Sequence, residues 1–394
     1  MKIAHLSTST TGGAAVTAKS IARIQNTFGH DSQVFTRDKN LSPAVLASSR
    51  FSTFISLANA TKEYAQVTHF STLGLELNTV WDFKPDVIFI HNWFNLLREK
   101  DIASITRRTP TIFLAHDARL ATGGCHVTLG CQNFKTGCHH CPAAKVDFFA
   151  SAAKKTLESM VEQMGEYAFV TPSQWLMNEM TGSAIISNST ISKVIGNPSE
   201  AFPGDEDSEM RQPGERFRII FVAASLDSAY KGFDLLMESM SLIGDSKDLP
   251  REIELKVVGT GTNRSLSELS SRVNISFLGP QNSSDVHRLI RESDLLIVPS
   301  LSENYPGVIG EAQLLGCAVA ASNVGGIPEM IEDGVSGFLF EPVAQGCKMA
   351  ILRAINSPSL SQIKKFARER ALFRYDEKSI NNEYENVIKE LKNS

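Results

Sequence analysis

Short apolar runs alternate with amphipathic stretches along most of this chain, which is the pattern of an α/β protein with parallel sheets. In the first half, six runs predict strands at Lys2–Leu6, Ser32–Thr36, Val87–His91, Thr111–His116, Phe169–Pro172 and Val194–Pro198. In the second half, six more predict strands at Arg218–Ala223, Glu254–Val258, Val273–Phe277, Leu295–Pro299, Ala318–Ser322 and Gly337–Phe340. Polar residues follow most of these runs, and in an open parallel sheet such carboxyl-end loops line the ligand site.

The stretches between the strands predict helices at Ala14–Phe28, Phe149–Met164, Gln174–Thr181 and near 232–243, 264–271, 284–292, 308–316 and 327–332, with a polar helical segment at Leu360–Lys392. Residues 200–215 are acidic, rich in proline and glycine and poor in apolar side chains, so we interpret them as a linker. The predicted domains are residues 1–199, residues 216–375 and a last helix, 376–394, that crosses back to the first domain. Two Rossmann-like, doubly wound domains in one chain imply that they face a central cleft.

Composition and charge narrow the class of protein. The chain has 394 residues, of which 42% are hydrophobic and 21% charged, so it is globular and long enough for two or three domains. Its net charge of −4 argues against a dedicated nucleic-acid binder. Residues 1–150 carry a charge of +5 (15 Lys and Arg against 10 Asp and Glu), which suits peripheral contact with a membrane or an anionic acceptor, although a solvated face explains it equally simply. The apolar runs are too short for a signal peptide or a membrane span, so we expect a cytoplasmic protein.

The stretch from Asp294 to Phe340 places two carboxylates beside a helix start. A buried strand leads into the loop Ser300–Gly307, which holds Glu303, and Glu311 follows eight residues later in the next helix. Backbone N–H groups at a helix start attract anions. A carboxylate that can hold hydroxyl groups next to an anion site suits a sugar joined to a phosphate.

Four other places in the chain carry candidate chemistry. Lys231 precedes an amphipathic helix, where a lysine opposes the helix dipole unless a phosphate sits there; a solvated lysine is the alternative. His116 follows a predicted strand and can donate to a hydroxyl or to a reacting oxygen, although a packed histidine fits as well. His91, Asn92 and Trp93 follow another strand in the same way. Gly13 ends a loop where the backbone either approaches a ligand or makes an ordinary turn.

A cysteine-rich insert at residues 123–142 predicts a structural metal site. Its cysteines are Cys125, Cys131, Cys138 and Cys141, and only the last two have the two-residue spacing of a zinc knuckle. Two disulfide bonds, free thiols or another metal are the alternatives, and His126, His139 and His140 are possible substitute ligands. Four thiolates would leave no open position on zinc, so the metal would be structural. The predicted ligand loops contain no Asp-x-Asp motif, and we expect no catalytic metal.

Several motifs of the sequence resemble those of glycosyltransferase family 4. Glu303 and Glu311 form the E-x₇-E signature of retaining glycosyltransferases, within SENYPGVIGEA. Downstream, GGIPE at 325–329 and DGVSG at 333–337 match the same family. In the first half, HNWFNLL at 91–97, HDARLATGGC at 116–125 and the cysteine cluster resemble the colanic-acid-type subgroup, which builds bacterial surface polysaccharides. The resemblance covers nearly the whole chain.

The resemblance implies a GT-B fold, with a nucleotide sugar bound by the C-terminal domain and the acceptor bound by the N-terminal domain. Glu303, His116 and Lys231 would be catalytic: Glu303 holds the hydroxyls of the donor sugar, Lys231 neutralises the leaving diphosphate, and His116 lies near the reacting face. The implied donor-binding residues are Gly13, Gly259, Asn304, Tyr305, Pro306, Gly307 and Glu311, with Glu311 on the ribose. Ser225 stands where many relatives carry an arginine, so more of the neutralisation would rest on Lys231, helix N-termini and Arg264.

The function implied is that of a retaining hexosyltransferase, which moves a sugar from a nucleotide-sugar donor to a saccharide or lipid-linked saccharide acceptor. The transition state would carry growing negative charge on the leaving phosphate, which positioned charges and donors stabilise. No protein nucleophile is evident on the reacting face, which favours attack by the acceptor hydroxyl on the same face. Two rival hypotheses are a sugar-nucleotide epimerase or hydrolase on the same fold, and a non-catalytic partner protein.

Overall fold

A computed structural model describes residues 1–36, 77–93, 96–122, 124–199, 201, 214–244, 249–261 and 272–394. These residues divide into two compact units. The first comprises Met1–Pro198 with Glu377–Ser394, and the second comprises Ser199–Asp376. Most of the predicted linker 200–215 and the predicted helix 264–271, with Arg264, lie outside the described residues.

The first unit is built on a parallel sheet of six described strands in the order β2-β1-β3-β4-β5-β6. The strands are β1 Lys2–Ser7, β2 Asp31–Thr36, β3 Val87–Ile90, β4 Thr111–Leu114, β5 Tyr167–Thr171 and β6 Ile191–Val194. In the register, Leu6 lies opposite Phe35 on one side and Ile90 on the other. The described helices are α1 Gly13–Thr27, α2 Asn78–Phe83, α3 Glu99–Arg108, α4 Asp147–Glu162, α5 Gln174–Met180, α6 Ala184–Ser187 and the last helix of the chain, Glu377–Asn393.

The last helix covers one face of this first sheet. Its buried residues Ile380, Tyr384 and Val387 share a hydrophobic cluster with Ile3 and Phe89 of the strands. The rings of Phe89 and Tyr384 meet edge to face, with their centroids 5.5 Å apart. The C-terminal helix is therefore part of the core of the first unit.

The second unit has the same architecture, with six described strands in the order β12-β11-β10-β7-β8-β9. The strands are β7 Arg216–Ser225, β8 Glu252–Thr260, β9 Val273–Gly279, β10 Leu295–Val298, β11 Ala318–Ser322 and β12 Phe338–Phe340. The described helices are α7 Phe233–Gly244, α8 Ser283–Arg291, α9 Gly307–Leu314, α10 Ile327–Met330, α11 Ala344–Asn356 and α12 Leu360–Arg374.

Strand β10 shows why a strand in the middle of the second sheet has apolar residues at every position. Leu295 and Ile297 belong to the hydrophobic cluster on one face, and Leu296 and Val298 belong to the cluster on the other. Alternate side chains of a strand point to opposite faces, so a strand covered by helices on both sides needs apolar residues at every position.

One strand begins three residues earlier in the chain than predicted. The sequence predicted Val194–Pro198, but the strand is Ile191–Val194 at the edge of the first sheet. Only Ile191 of its four side chains is buried, so the strand leaves a weak apolar signal.

The polar segment Leu360–Lys392 forms two helices, because the helical conformation is interrupted at Tyr375 and Asp376 before the last helix begins. Among the described residues, none of the helices combines the length and apolar character that crossing a bilayer requires.

Candidate functional site

The strand order of the second sheet determines where a ligand fits. Strands β8 and β9 extend the sheet on one side of β7, while β10, β11 and β12 extend it on the other. The connections therefore diverge between β7 and β10, and ligands of open α/β sheets bind at such a switch point, beyond the carboxyl ends of the strands. Strand β7 ends at Ser225 and β10 ends at Val298. The loops that follow these two strands carry Lys231 and Glu303.

Lys231 and Glu303 form an ion pair at this switch point, although they lie 72 residues apart in the chain. The Lys231 Nζ is 2.5 Å from Oε1 of Glu303, and the Ser300 hydroxyl donates to the same oxygen at 3.2 Å. The N–H of Leu301 donates to the carbonyl of Tyr230 at 2.7 Å, which joins the two loops through their backbones. The sequence predicted both charged residues as site residues, and the structure brings them into direct contact.

The ion pair is partly withdrawn from water, with 29% of the Lys231 side chain and 12% of the Glu303 side chain exposed. Burial lowers the pKa of Lys231, but the charge of Glu303 and its hydrogen bond outweigh that effect and raise the pKa above its ordinary value. The Lys231 ammonium also lies 5.3 Å from the centre of the Tyr230 ring. Lys231 is therefore charged at neutral pH.

Two glycines fix the loops around this pair because their backbones approach other chain segments too closely for a side chain. Gly232 has φ of 73°, and a Cβ there would lie 1.8 Å from the carbonyl oxygen of Pro299. Gly325 has φ of 60°, and a Cβ there would lie 1.7 Å from the carbonyl oxygen of Glu303. The GGIPE segment thus packs directly against the backbone of the candidate catalytic carboxylate.

Helix α9 begins immediately after the loop that holds Glu303. Its N-cap residue is Pro306, which is buried, and Gly307 is the exposed first residue of the helix. Asn304 and Tyr305 precede them in the loop, and the Tyr305 ring packs against the hydrophobic core of the unit. These four predicted donor-binding residues therefore form one continuous segment that ends in a helix N-terminus.

Glu311 lies in α9, with its carboxylate turned towards the neighbouring helix α8. Its Oε2 is 3.7 Å from Nε2 of His287 in α8, and the two side chains are less than one fifth exposed. Gly259, the remaining predicted donor-binding residue of this unit, lies in β8 close to β7. A Cβ on Gly259 would lie 2.2 Å from the carbonyl oxygen of Ala223. His287 was not predicted as a site residue, because a lone histidine on an amphipathic helix gives no signal of its partner.

The first sheet also has a switch point, between β1 and β3. Gly13 follows β1 as the first residue of α1, and a Cβ there would meet no other atom of the described structure within 4 Å. His116 follows β4 and lines a small pocket together with His91, Trp93 and Asp117. The Oδ1 of Asp117 accepts the backbone N–H of Arg119 at 2.9 Å and caps a short 3₁₀ turn.

His116 is hydrogen-bonded to buried histidines that the sequence analysis did not connect to it. Its Nε2 lies 3.1 Å from Nδ1 of His91, and Nε2 of His91 lies 2.8 Å from Nδ1 of His5 in β1. Burial lowers the pKa of His5 and of His116 to about 4, although Gln25 raises that of His5 and Asp117 raises that of His116. The pKa of His91 is also well below its ordinary value, mainly because the ring is buried and to a smaller extent because His5 and His116 lie nearby. All three imidazoles are thus neutral at pH 7.

The four cysteines of the insert all lie in the first unit. Cys138 is buried and packs with Cys141 against the core of the first unit, and Cys125 and Cys131 are partly buried. Among the described residues, no group of three or more His, Cys, Asp or Glu side chains is arranged to hold a metal ion. The structural zinc stays a prediction from the cysteine spacing.

Part of the second unit is similar in sequence to known proteins. Residues 216–357 match the family model of glycosyl transferases group 1. D-inositol 3-phosphate glycosyltransferase from Mycobacterium tuberculosis is 42% identical to the chain over 79 residues. The matched stretch is 20% of this chain and 16% of the length of that relative.

Two solved structures resemble the whole chain. HepE from Anabaena, in complex with UDP and glucose, has a TM-score of 0.61 at 18% identity and is covered over 99% of both chains. Sucrose-phosphate synthase from Thermosynechococcus elongatus has a TM-score of 0.66 at 15% identity, with 99% of this chain and 98% of that chain covered. The predicted fold class, GT-B with two Rossmann-like α/β domains, is confirmed.

Proposed function

We propose that this protein is a retaining glycosyltransferase of family 4, which moves a hexosyl group from a nucleotide sugar to a saccharide or lipid-linked saccharide. The observation that carries the proposal is the Lys231–Glu303 pair at the switch point of the second sheet. This part of the chain matches the glycosyl transferase group 1 model. The similarity to HepE, whose structure contains UDP and glucose, supports a nucleotide-sugar donor.

The roles of the charged residues follow from what each group can bind. In the proposed complex, the Glu303 carboxylate accepts hydrogen bonds from donor-sugar hydroxyls, and the Lys231 ammonium pairs with the diphosphate. Negative charge grows on the leaving phosphate as the glycosidic bond breaks, so a positioned ammonium stabilises the transition state more than the ground state. Glu311 binds the ribose hydroxyls, and N–H groups at the start of α9 hold the donor further.

In the first unit, we assign the reacting side of the sugar to His116. A neutral imidazole accepts or donates a hydrogen bond without adding positive charge, which suits an oxocarbenium-like transition state better than an imidazolium would. Gly13, at the start of α1, lets the backbone approach the donor. The acceptor hydroxyl attacks the face from which the diphosphate leaves, and the anomeric configuration is retained.

The acceptor is proposed from sequence resemblance. The segments HNWFNLL and HDARLATGGC, with the cysteine insert, resemble transferases that build bacterial surface polysaccharides. We propose an acceptor on the cytoplasmic side of the membrane, with peripheral contact through the mildly basic first half of the chain. A structural zinc in the insert belongs to the same proposal.

The decisive experiment is a donor panel. UDP-, GDP- and dTDP-sugars are scored first by thermal shift and slow hydrolysis, then by transfer to saccharide and lipid-linked acceptors, with the product anomer read by NMR. We expect one donor to stabilise the protein and to give a retained anomer. Glu303→Ala should abolish transfer, while Glu238→Ala, which removes an exposed carboxylate from α7, should not affect it.

The other outcomes of this panel identify the rival functions. Full-speed turnover of the donor without any acceptor would indicate an epimerase or hydrolase. Donor binding with neither hydrolysis nor transfer would indicate a non-catalytic partner protein. An inverted anomer, or normal transfer by Glu303→Ala, would contradict the assigned mechanism.

A further inference from the structure

An arginine at the end of α12 is hydrogen-bonded to both helices that frame the candidate donor site. Nη1 of Arg374 donates to Oε1 of Gln313 in α9 at 3.1 Å, and its Nη2 donates to the carbonyl of Glu329 in α10 at 3.4 Å. Nε2 of Gln313 donates in turn to the carbonyl of Met330 at 3.0 Å. Arg374 and Gln313 thus connect α9, which carries Glu311, to the GGIPE segment, whose last residues begin α10.

The chemistry of these partners fixes the orientation of the Gln313 amide. A guanidinium only donates hydrogen bonds and a carbonyl oxygen only accepts them, so the amide oxygen faces Arg374 and the amide nitrogen faces Met330. The Gln313 residue is 1% exposed, and a buried amide is costly unless both of its ends are paired. An apolar side chain would fill the same volume but would leave the Met330 carbonyl without this donor.

Close packing holds the end of α12 against α9. Tyr375 follows Arg374 directly and is buried, and a Cβ on Gly310 of α9 would lie 2.2 Å from the Tyr375 hydroxyl oxygen. Tyr375 belongs to a hydrophobic cluster against which Tyr305 packs, and Tyr305 lies in the same loop as Glu303. Because a side chain at position 310 would displace the tyrosine ring, the end of α12 has a closely defined place beside α9.

The GGIPE segment extends this connection to Glu303. The N–H of Gly326 donates to the Glu303 carbonyl at 3.2 Å, in addition to the close packing of the segment against that carbonyl. The backbone of Glu303 therefore rests on the segment that Arg374 and Gln313 hold. Since Glu311 lies in α9, the same two side chains also define the spacing between the two carboxylates.

We propose that Gln313 and Arg374 are positioning residues that hold Glu303 and Glu311 at the spacing a nucleotide sugar requires. This role rests on the proposed glycosyltransferase function, in which Glu303 binds the sugar and Glu311 binds the ribose. A nucleoside diphosphate uses only one of the two carboxylates, whereas a nucleotide sugar uses both at once. Displacement of one carboxylate relative to the other should therefore weaken binding of the nucleotide sugar more than binding of the nucleoside diphosphate.

Hydrogen exchange of the whole chain tests the connection without any ligand. Gln313→Met removes both hydrogen bonds of the amide, and Arg374→Lys replaces a fork of two nitrogens by a single ammonium. In both variants, backbone amides of residues 324–331 should exchange about tenfold faster than in the parent protein. Arg374 is only partly buried, so Arg374→Lys should fold even if Gln313→Met does not. Unchanged exchange in this segment of folded Arg374→Lys would overturn the proposal.

The same helix supplies a matched control. Arg370, one turn before Arg374, forms an ion pair with Glu332, and both side chains are well exposed. Arg370→Met should leave the exchange of residues 324–331 unchanged, because exposed ion pairs contribute little.

Calorimetric titration tests the effect on the site, with UDP-glucose against UDP, GDP-mannose against GDP and dTDP-glucose against dTDP. For the pair that binds the parent protein, the Kd of the nucleotide sugar should rise about tenfold in Gln313→Met and Arg374→Lys, and that of the nucleoside diphosphate by less than about threefold. Arg370→Met should change neither. Equal weakening of both ligands would overturn the proposal, because a loss of stability alone does not discriminate between them. Binding of none of the three pairs would contradict the proposed function, and the exchange experiment would still decide whether Gln313 and Arg374 hold the GGIPE segment.

Discussion

The Lys231–Glu303 pair can be tested by a double-mutant cycle that measures stability and activity in the same proteins. Lys231→Met keeps the aliphatic stem and removes the charge, and Glu303→Gln keeps the shape of the carboxylate. At a separation of 2.5 Å and an effective dielectric constant of about 20, the attraction is roughly 7 kcal/mol. The loss of water around both groups offsets most of this, so the net value is far smaller.

The expected net effect lies between those of exposed and buried ion pairs. Exposed pairs contribute up to about 1 kcal/mol, and breaking a buried pair costs about 3–5 kcal/mol. Because this pair is only partly exposed and Ser300 still donates to Glu303, we expect Lys231→Met to cost about 2 kcal/mol. For a unit of this size, Tm should fall by about 4–8 °C. The coupling energy from the cycle should be about 1–2 kcal/mol.

The effect on catalysis should be larger than the effect on stability. Loss of one positioned group that faces developing charge typically lowers kcat by about 10²–10³-fold, and we expect this of Lys231→Met with the preferred donor. Scanning calorimetry gives Tm, and coupled nucleotide release gives kcat and KM. The pKa of Lys231 is raised by Glu303, so its stabilising effect should be constant across neutral pH and be lost only in strongly alkaline solution, as the pH rises from the ordinary pKa of lysine through the raised one.

A second ion pair of the same unit supplies the control. Arg216 and Glu252, at the starts of β7 and β8, lie 3.0 Å apart, and more than half of each side chain is exposed. Arg216→Met should cost no more than about 1 kcal/mol and leave kcat unchanged. The reasoning would be refuted if Lys231→Met kept kcat within threefold of the parent protein, or if the cycle gave no coupling.

Four further predictions concern other parts of the chain. Because the pKa of His5 is about 4 in the folded protein and about 6.5 when unfolded, the unfolded state binds more protons between these values; the free energy of unfolding should therefore fall by about 3 kcal/mol from pH 6.5 to 4 on account of His5. Urea titrations should show a weaker pH dependence for His5→Gln than for the parent protein. Gly325→Ala should lose donor binding and several kcal/mol of stability, whereas Gly334→Ala, which shares the positive φ but has an open site, should cost about 1 kcal/mol; equal losses in calorimetry would contradict this. Gly13→Ala should leave Tm unchanged and slow transfer at least tenfold, and normal kinetics would exclude close approach of a ligand there. Elemental analysis should find one zinc per chain, and near-zero zinc would refute the metal site in the cysteine insert.

Local patterns in the sequence were sufficient to predict most of the fold. Strand β10 is apolar at every position because both of its faces are covered, and this makes a parallel sheet recognisable without any long-range information. Strand β6 is an edge strand with one buried side chain, and its position was predicted wrongly for that reason. Helix α11, at Ala344–Asn356, was not among the predicted helices, although its inner face is buried.

The candidate site was predictable only in part. Glu303 and Lys231 each stand out locally, one in a loop after a strand and the other before a helix. The three hydrogen-bonded histidines have no such signal, because they are separated by 86 and 25 residues and His5 occupies one position within an apolar strand. Only the pairing of β1 with β3 brings His5 and His91 together. The partners of a buried polar residue depend on strand order, which the sequence pattern does not specify.

The two units place different electrostatics at equivalent positions of their sheets. At the β7–β10 switch point there is an ion pair with a fully charged lysine, whereas the groups near the β1–β3 switch point are imidazoles that burial keeps neutral. Neutral imidazoles offer hydrogen bonds but no charge with which to balance a diphosphate. In the proposed reaction this task therefore falls on Lys231 and the start of α9, and Ser225, at the end of β7, adds no positive charge. For the same reason, we expect a cationic side chain at position 225 to recover part of the activity that Lys231→Met loses, and no recovery would show that the diphosphate lies elsewhere.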